Sequence, residues 1–77
     1  MTRKQAVEFL KNRHGQPILS SDCYPVFLGY TKGYIMRYKI QDRGIFIKQI
    51  LGDRVAFISW DNLTEDRLSM PLENIKA

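Results

Sequence analysis

Apolar residues change their spacing along this chain, and each change marks an element. Ala6, Phe9 and Leu10 recur at helical spacing behind Thr2 and Gln5, which stand three apart as a capping box requires. Gly15 suits the left-handed residue beyond a helix end, and Pro17 prevents resumption. The spacing predicts a helix from a Thr2 cap to about His14, with a stripe so narrow that it must pack on something larger. Residues 16–25 form a connection in which Ile18 and Leu19 tuck against the core. Pro25 excludes a second helix across Ser21 to Tyr30, because proline costs roughly 3 kcal/mol in a helix interior. A helix-turn-helix therefore lacks its recognition helix, and Val26 to Leu28 read as a short strand ending at Gly29.

Further along, the period becomes two. Leu51-Gly52-Asp53-Arg54 reads as a two-residue hairpin loop, with Gly52 supplying a positive φ. Leu51 then faces Arg54, Ile50 faces Val55, Lys48 faces Phe57 and Ile45 faces Trp60. Asp42 and Gly44 mark a second turn, closed by Ile40 against Ile45, which sets Arg37 opposite Lys48 and Tyr38 opposite Ile47. Alternation sorts these strands into two faces. One collects Tyr34, Met36, Tyr38, Ile40, Ile45, Ile47, Gln49, Leu51, Arg54, Ala56, Ile58 and Trp60; being apolar apart from Gln49 and Arg54, it is the core face. The other collects Ile35, Arg37, Lys39, Phe46, Lys48, Ile50, Val55, Phe57 and Ser59. Beyond a polar turn at Asp61 to Asp66, Arg67 to Met70 pairs back as a strand with Leu68 and Met70 inward. Pro71 then opens one helical turn through Asn74, and Ile75 closes the core.

The expectation is one α+β domain, mainly β. A helix (1–15) and a connection (16–25) lead into an antiparallel sheet (26–77) of four or five strands, either curved or rolled into a barrel. The run Val55-Ala56-Phe57-Ile58-Ser59-Trp60-Asp61, the polar turn, and Leu68-Ser69-Met70-Pro71-Leu72-Glu73-Asn74-Ile75 resemble the end of an SH3-like or Tudor-like small barrel, over about residues 33–76. That resemblance implies stoichiometric binding of protein, RNA or DNA rather than any one of them. The N-terminal helix departs from the pattern. So does the absence of the glycine spacing of KOW motifs, which gives a ribosomal or elongation-factor role no support.

Composition narrows the setting. A chain of 77 residues holds one core, and a domain of that size buries only about 60% of its unfolded surface. Cys23 is the only cysteine, so no intrachain disulfide forms. Arg3, Lys4, Glu8 and Lys11 break any signal-peptide core, and apolar runs are as short as Val55 to Ile58. A cytoplasmic protein without a membrane segment is expected. The net charge of +4, from 12 Lys and Arg against 8 Asp and Glu, is compatible with an anionic partner.

Candidate chemistry is sparse. His14, the sole histidine, stands where positive charge suits the carbonyl end of the helix, and no orienting partner makes it a base. Cys23, with no basic neighbour in sequence, reads as a buried or half-buried thiol. One cysteine and one histidine cannot supply a zinc site alone. Glu65 and Asp66 are solvated acids without calcium-loop spacing, and no glycine-rich phosphate loop precedes a helix. The expectation is a binding module, not an enzyme, with no cofactor or metal.

The basic outer face is the feature left to explain. Arg37, Lys39 and Lys48 neighbour Phe46 and Phe57 there, so cations could neutralise phosphates while rings stack on bases. Nucleic-acid binding through these five residues is the leading expectation. The alternative is a protein-interaction or inhibitor module using the same face or a sheet edge. A third is a small structural subunit of a larger complex. Against all of them stands plain packing: Ala6, Phe9 and Leu10 need an apolar surface, and the helix could seat on Phe46 and Phe57. Tyr34, Tyr38 and Trp60 could build a cage for methylated lysine or arginine, but their core-side parity makes them packing groups. Tyr24 and Tyr30 lie outside the strands just defined.

Overall fold

The N-terminal helix forms as its local sequence dictates. Thr2 Oγ1 accepts the Gln5 N–H at 3.1 Å, and the Gln5 side chain accepts the Thr2 N–H at 2.9 Å, which closes the capping box of helix α1, Arg3–His14. Gly15, at φ 86°, ends it and donates its N–H to the Lys11 carbonyl. Ala6 and Leu10 are fully buried. This computed structural model describes residues 1–72.

After α1 come β1 (Ile18–Leu19), β2 (Pro25–Thr31), β3 (Tyr34–Ile40), β4 (Gly44–Gln49), β5 (Val55–Ser59) and helix α2 (Glu65–Leu68). The strands make one antiparallel meander in the order β1-β2-β3-β4-β5. Of the two expected forms, the curved open sheet is observed; β1 and β5 are its edges and it does not close into a barrel. Between β3 and β4 the register is the expected one, with Ile40 opposite Ile45, Tyr38 opposite Ile47 and Arg37 opposite Lys48.

The register between β4 and β5 differs from expectation by two residues. Ile45 faces Ile58, Phe46 faces Phe57 and Lys48 faces Val55. A two-residue loop at Gly52-Asp53 needs positive φ, and neither residue adopts it. The hairpin instead closes where the Gln49 N–H meets the Arg54 carbonyl at 3.2 Å, so Ile50 to Asp53 all lie in the loop and Leu51 is exposed. A shift of two preserves parity, so the two faces keep their members wherever these still lie on a strand.

The inner face is the core. Phe27, Met36, Tyr38, Ile40, Ile45, Ile47, Ala56 and Ile58 pack there with Ala6 and Leu10 of α1 and with Leu63, Leu68 and Leu72. Tyr38 stitches the layers together. Its hydroxyl lies 2.7 Å from Thr31 Oγ1 and donates to the Leu68 carbonyl at 3.2 Å. Burial, the larger influence, raises the Tyr38 pKa. Tyr34 and Trp60 are half-buried against the same core, and Trp60 Nε1 donates to the Asp42 carbonyl at 3.0 Å, so these aromatics pack rather than form a cage.

Four other local expectations are corrected. Strand β2 runs on through Gly29 to Thr31, because Lys32 (φ 53°) and Gly33 (φ 86°) make a tight turn that pairs Thr31 with Tyr34. Ile18 and Leu19 are not tucked in; they form the edge strand β1 and are 60% and 69% exposed. Residues 67–70 are no strand. Thr64 accepts the Arg67 N–H at 3.2 Å and caps α2, which delivers Leu68 to the core by another route. Cys23 is an exposed thiol, held at φ 65° in the turn between β1 and β2. The expected roles of Asn74 and Ile75 lie outside the described residues.

Candidate functional site

Helix α1 packs on β2 and the inner face, so it does not cover Phe46 and Phe57. The outer face of the sheet is therefore left uncovered by the helix, although Val26 is buried there. Strand pairing arranges it in rows. The first row reads Ile18, Val26, Lys39, Phe46, Phe57. The second reads Leu28, Arg37, Lys48, Val55. A third places Tyr30 beside Ile35, and the Ile50 N–H donates to the Ile35 carbonyl at 2.9 Å.

The three expected cations do not behave alike. Lys39 Nζ is 2.5 Å from an Asp22 carboxylate oxygen and 5.7 Å from the Tyr24 ring centroid. Asp22 also takes a hydrogen bond from the Ser20 hydroxyl. The Lys39 contact, then the Ser20 one, bring the exposed Asp22 carboxyl down to about 2. Tyr24 in turn donates its hydroxyl to Asp42 at 3.1 Å, a bond that raises the phenol's pKa. Lys39 is thus tied into the β1–β2 turn and its charge is matched locally.

Arg37 and Lys48 differ. They sit opposite one another in the central row, and among the described residues neither side chain makes an ion pair or hydrogen bond. The Ile50 N–H bond to Ile35 and the Gln41 N–H bond to Gly44 set the ladder phase. By that phase Arg37 and Lys48 form a hydrogen-bonded pair, whose Cα atoms stand about 5.5 Å apart. Like charges so placed repel.

Around this pair lie Leu28, Val55, Ile50, Tyr30 and Phe57, all exposed; Phe57 is 50% exposed, while Phe46 is half-buried beside it. The structure thus brings Arg37, Lys39, Lys48, Phe46 and Phe57 onto one surface. It adds Leu28, Tyr30 and Ile18, which the sequence reading missed. The missed signal was the alternation Phe27, Gly29, Thr31 inward against Leu28 and Tyr30 outward, ended by Lys32-Gly33.

Elsewhere the described residues offer little chemistry. His14 is not a charged cap. Burial, then the neighbouring Arg13 charge, lower its pKa, and its Nε2 is buried without a partner among the described residues. A groove of about 440 Å³ runs beside α1, lined by Met1, Lys4, Gln5, Glu8, Phe9, Asn12 and Glu65. It holds no serine, cysteine or histidine to act as nucleophile or base. Among the described residues no three His, Cys, Asp or Glu side chains gather to hold a metal ion, and no helix is long and apolar enough to cross a membrane.

Compared with family models, curated proteins and solved structures, the chain finds no match.

Proposed function

We propose that the chain is a non-enzymatic binding module whose outer sheet face takes a protein partner presenting carboxylates within an apolar ring. The observation that carries this is the facing pair Arg37 and Lys48, without anionic partners among the described residues, set among exposed Leu28, Val55, Ile50 and Phe57. An acidic group over the pair relieves its repulsion, and the flanking side chains gain about 25 cal/mol per Å² of apolar surface buried. Aromatic residues and arginine, here Tyr30, Phe57 and Arg37, are enriched at protein-binding surfaces. A second copy of the chain does not suit this face, since it would bring four like charges together.

Nucleic acid is the second reading, favoured by Phe57 standing exposed beside Phe46 and next to the cations. It fits less well. Phosphates and sugars leave Leu28, Val55 and Ile50 without apolar contact, and Lys39 is already paired with Asp22.

The test is a titration followed by amide resonances, using peptides that mix Asp or Glu with Leu and Phe, neutral apolar peptides, and generic single- and double-stranded DNA and RNA. The acidic apolar peptides are expected to shift Leu28, Arg37, Lys48 and Val55, and Arg37→Glu should abolish the effect. Tighter binding to nucleic acid, with affinity falling steeply in salt as counterions are released, would replace this reading with the second.

A further inference from the structure

The free edge of β5 carries its own information, independent of the face just discussed. The bonds Gln49 N–H to Arg54 O and Trp60 N–H to Arg43 O fix the phase of the last ladder. Arg54, Ala56, Ile58 and Trp60 thus turn their backbone groups toward β4, and Val55, Phe57 and Ser59 turn theirs outward. Ser59 O accepts the Asn62 N–H at 3.0 Å. The outward groups of Val55 and Phe57 meet no partner among the described residues. Such a row is a template for another extended strand.

The two edges of the sheet are guarded unequally. Edge β1 is two residues long, with Pro17 just before it and Pro25 opposite Leu19. Edge β5 reads Val-Ala-Phe-Ile-Ser, with no charge and no proline. Charged or proline-bearing edges discourage pairing; this one does not.

We infer that β5 pairs antiparallel with β5 of a second copy, about a two-fold axis at Phe57. In that register Phe57 faces Phe57 of the second copy and Val55 faces Ser59, so Phe57 exchanges both its backbone bonds with its counterpart and the Val55 carbonyl accepts the Ser59 N–H. The two phenyl rings meet on the outer face as a cross-strand aromatic pair. Arg54 comes opposite Trp60 of the second copy on the other side, a cation beside an indole ring. No like charges meet within the strand. Lys48 lies one strand further in on each copy, so at about 4.8 Å per strand the two central cation pairs stay well separated. Growth stops at two copies because only the short β1 edges remain at the ends, giving a closed, isologous dimer. Its joined sheet presents two outer faces side by side.

Because Phe57 faces itself in this register, charge at this exposed position gives a direct test. Sedimentation of the wild-type chain up to millimolar concentration should show a monomer–dimer equilibrium. Phe57→Glu and Phe57→Lys should each weaken it by about tenfold or more, which is roughly 1.4 kcal/mol, and an equimolar mixture of the two should restore a dimer. In the wild type, the Val55 and Phe57 amides should become protected from hydrogen exchange as concentration rises, a readout that needs no variant. A wild-type monomer throughout, a dimer untouched by either variant, or a mixture that stays monomeric would each overturn the inference.

Discussion

The imidazole of His14 fills the space that a side chain at Gly29 would need: a Cβ built there falls 1.9 Å from His14 Nδ1. The same ring lies 5.4 Å from the Tyr38 ring, inclined by 22°. The last residue of α1 is thereby seated on β2 at its one glycine. Gly29→Ala must displace the His14 ring, and overpacking of this kind costs about 1–3 kcal/mol. Urea denaturation should show that loss, and it should shrink when His14→Ala is already present, since the two residues are in contact.

Acid should weaken the fold through His14. Its pKa in the folded chain is lowered from 6.5 by burial and then by Arg13, so the folded state disfavours the proton. Well above pH 6.5 neither state is protonated and the histidine imposes no penalty. As pH falls through 6.5 the unfolded chain takes the proton first and stability declines, levelling only below the lowered folded pKa. Asp22 acts in a lower window. Its contribution is present above 3.8 and lost as pH falls through about 2. Thermal melts across this range should lose the upper slope in His14→Gln and the lower one in Asp22→Asn.

Ile58 and Phe57 are neighbours in sequence on opposite faces, 4% and 50% exposed. Ile58→Ala opens a cavity against Ile45 and should cost roughly 2–5 kcal/mol. Phe57→Ala should cost much less. Equilibrium unfolding of the two variants side by side checks the register, because a one-residue slip would reverse the order.

Lys48→Glu should make the protein more stable while removing its proposed use. The substitution turns the facing like charges at Arg37 and Lys48 into an opposite pair, worth roughly 0.2–1 kcal/mol. A higher urea midpoint, together with lost binding of acidic apolar peptides, is the expected result. A lower midpoint with binding intact would mean that the pair is not repulsive as placed.

Much of this was legible in the sequence because alternation is strict where β3 and β4 meet. Tyr38 against Ile47 and Arg37 against Lys48 follow from parity and a tight turn alone. The Thr2 cap was legible for a similar reason, since its partners are three residues apart. What failed depended on contacts distant in sequence or on loop geometry. Gly52 invited a two-residue loop but does not adopt positive φ. Leu68 was correctly placed inward, yet the Thr64 cap makes its segment helical rather than extended. The tie between Lys39 and Asp22 spans 17 positions and depends on the turn that exposes Cys23. Neither composition nor period contains it.

The alternation of the sheet also separates two kinds of mutational freedom. Leu28, Tyr30, Arg37, Lys48, Ile50, Val55 and Phe57 contribute nothing to the buried cluster that holds the chain together. A library randomised at these positions alone should keep the core, the helix seat and the Tyr38 stitching. The proposed recognition could then be redirected one side chain at a time, on a backbone whose persistence is decided on the opposite side of the sheet.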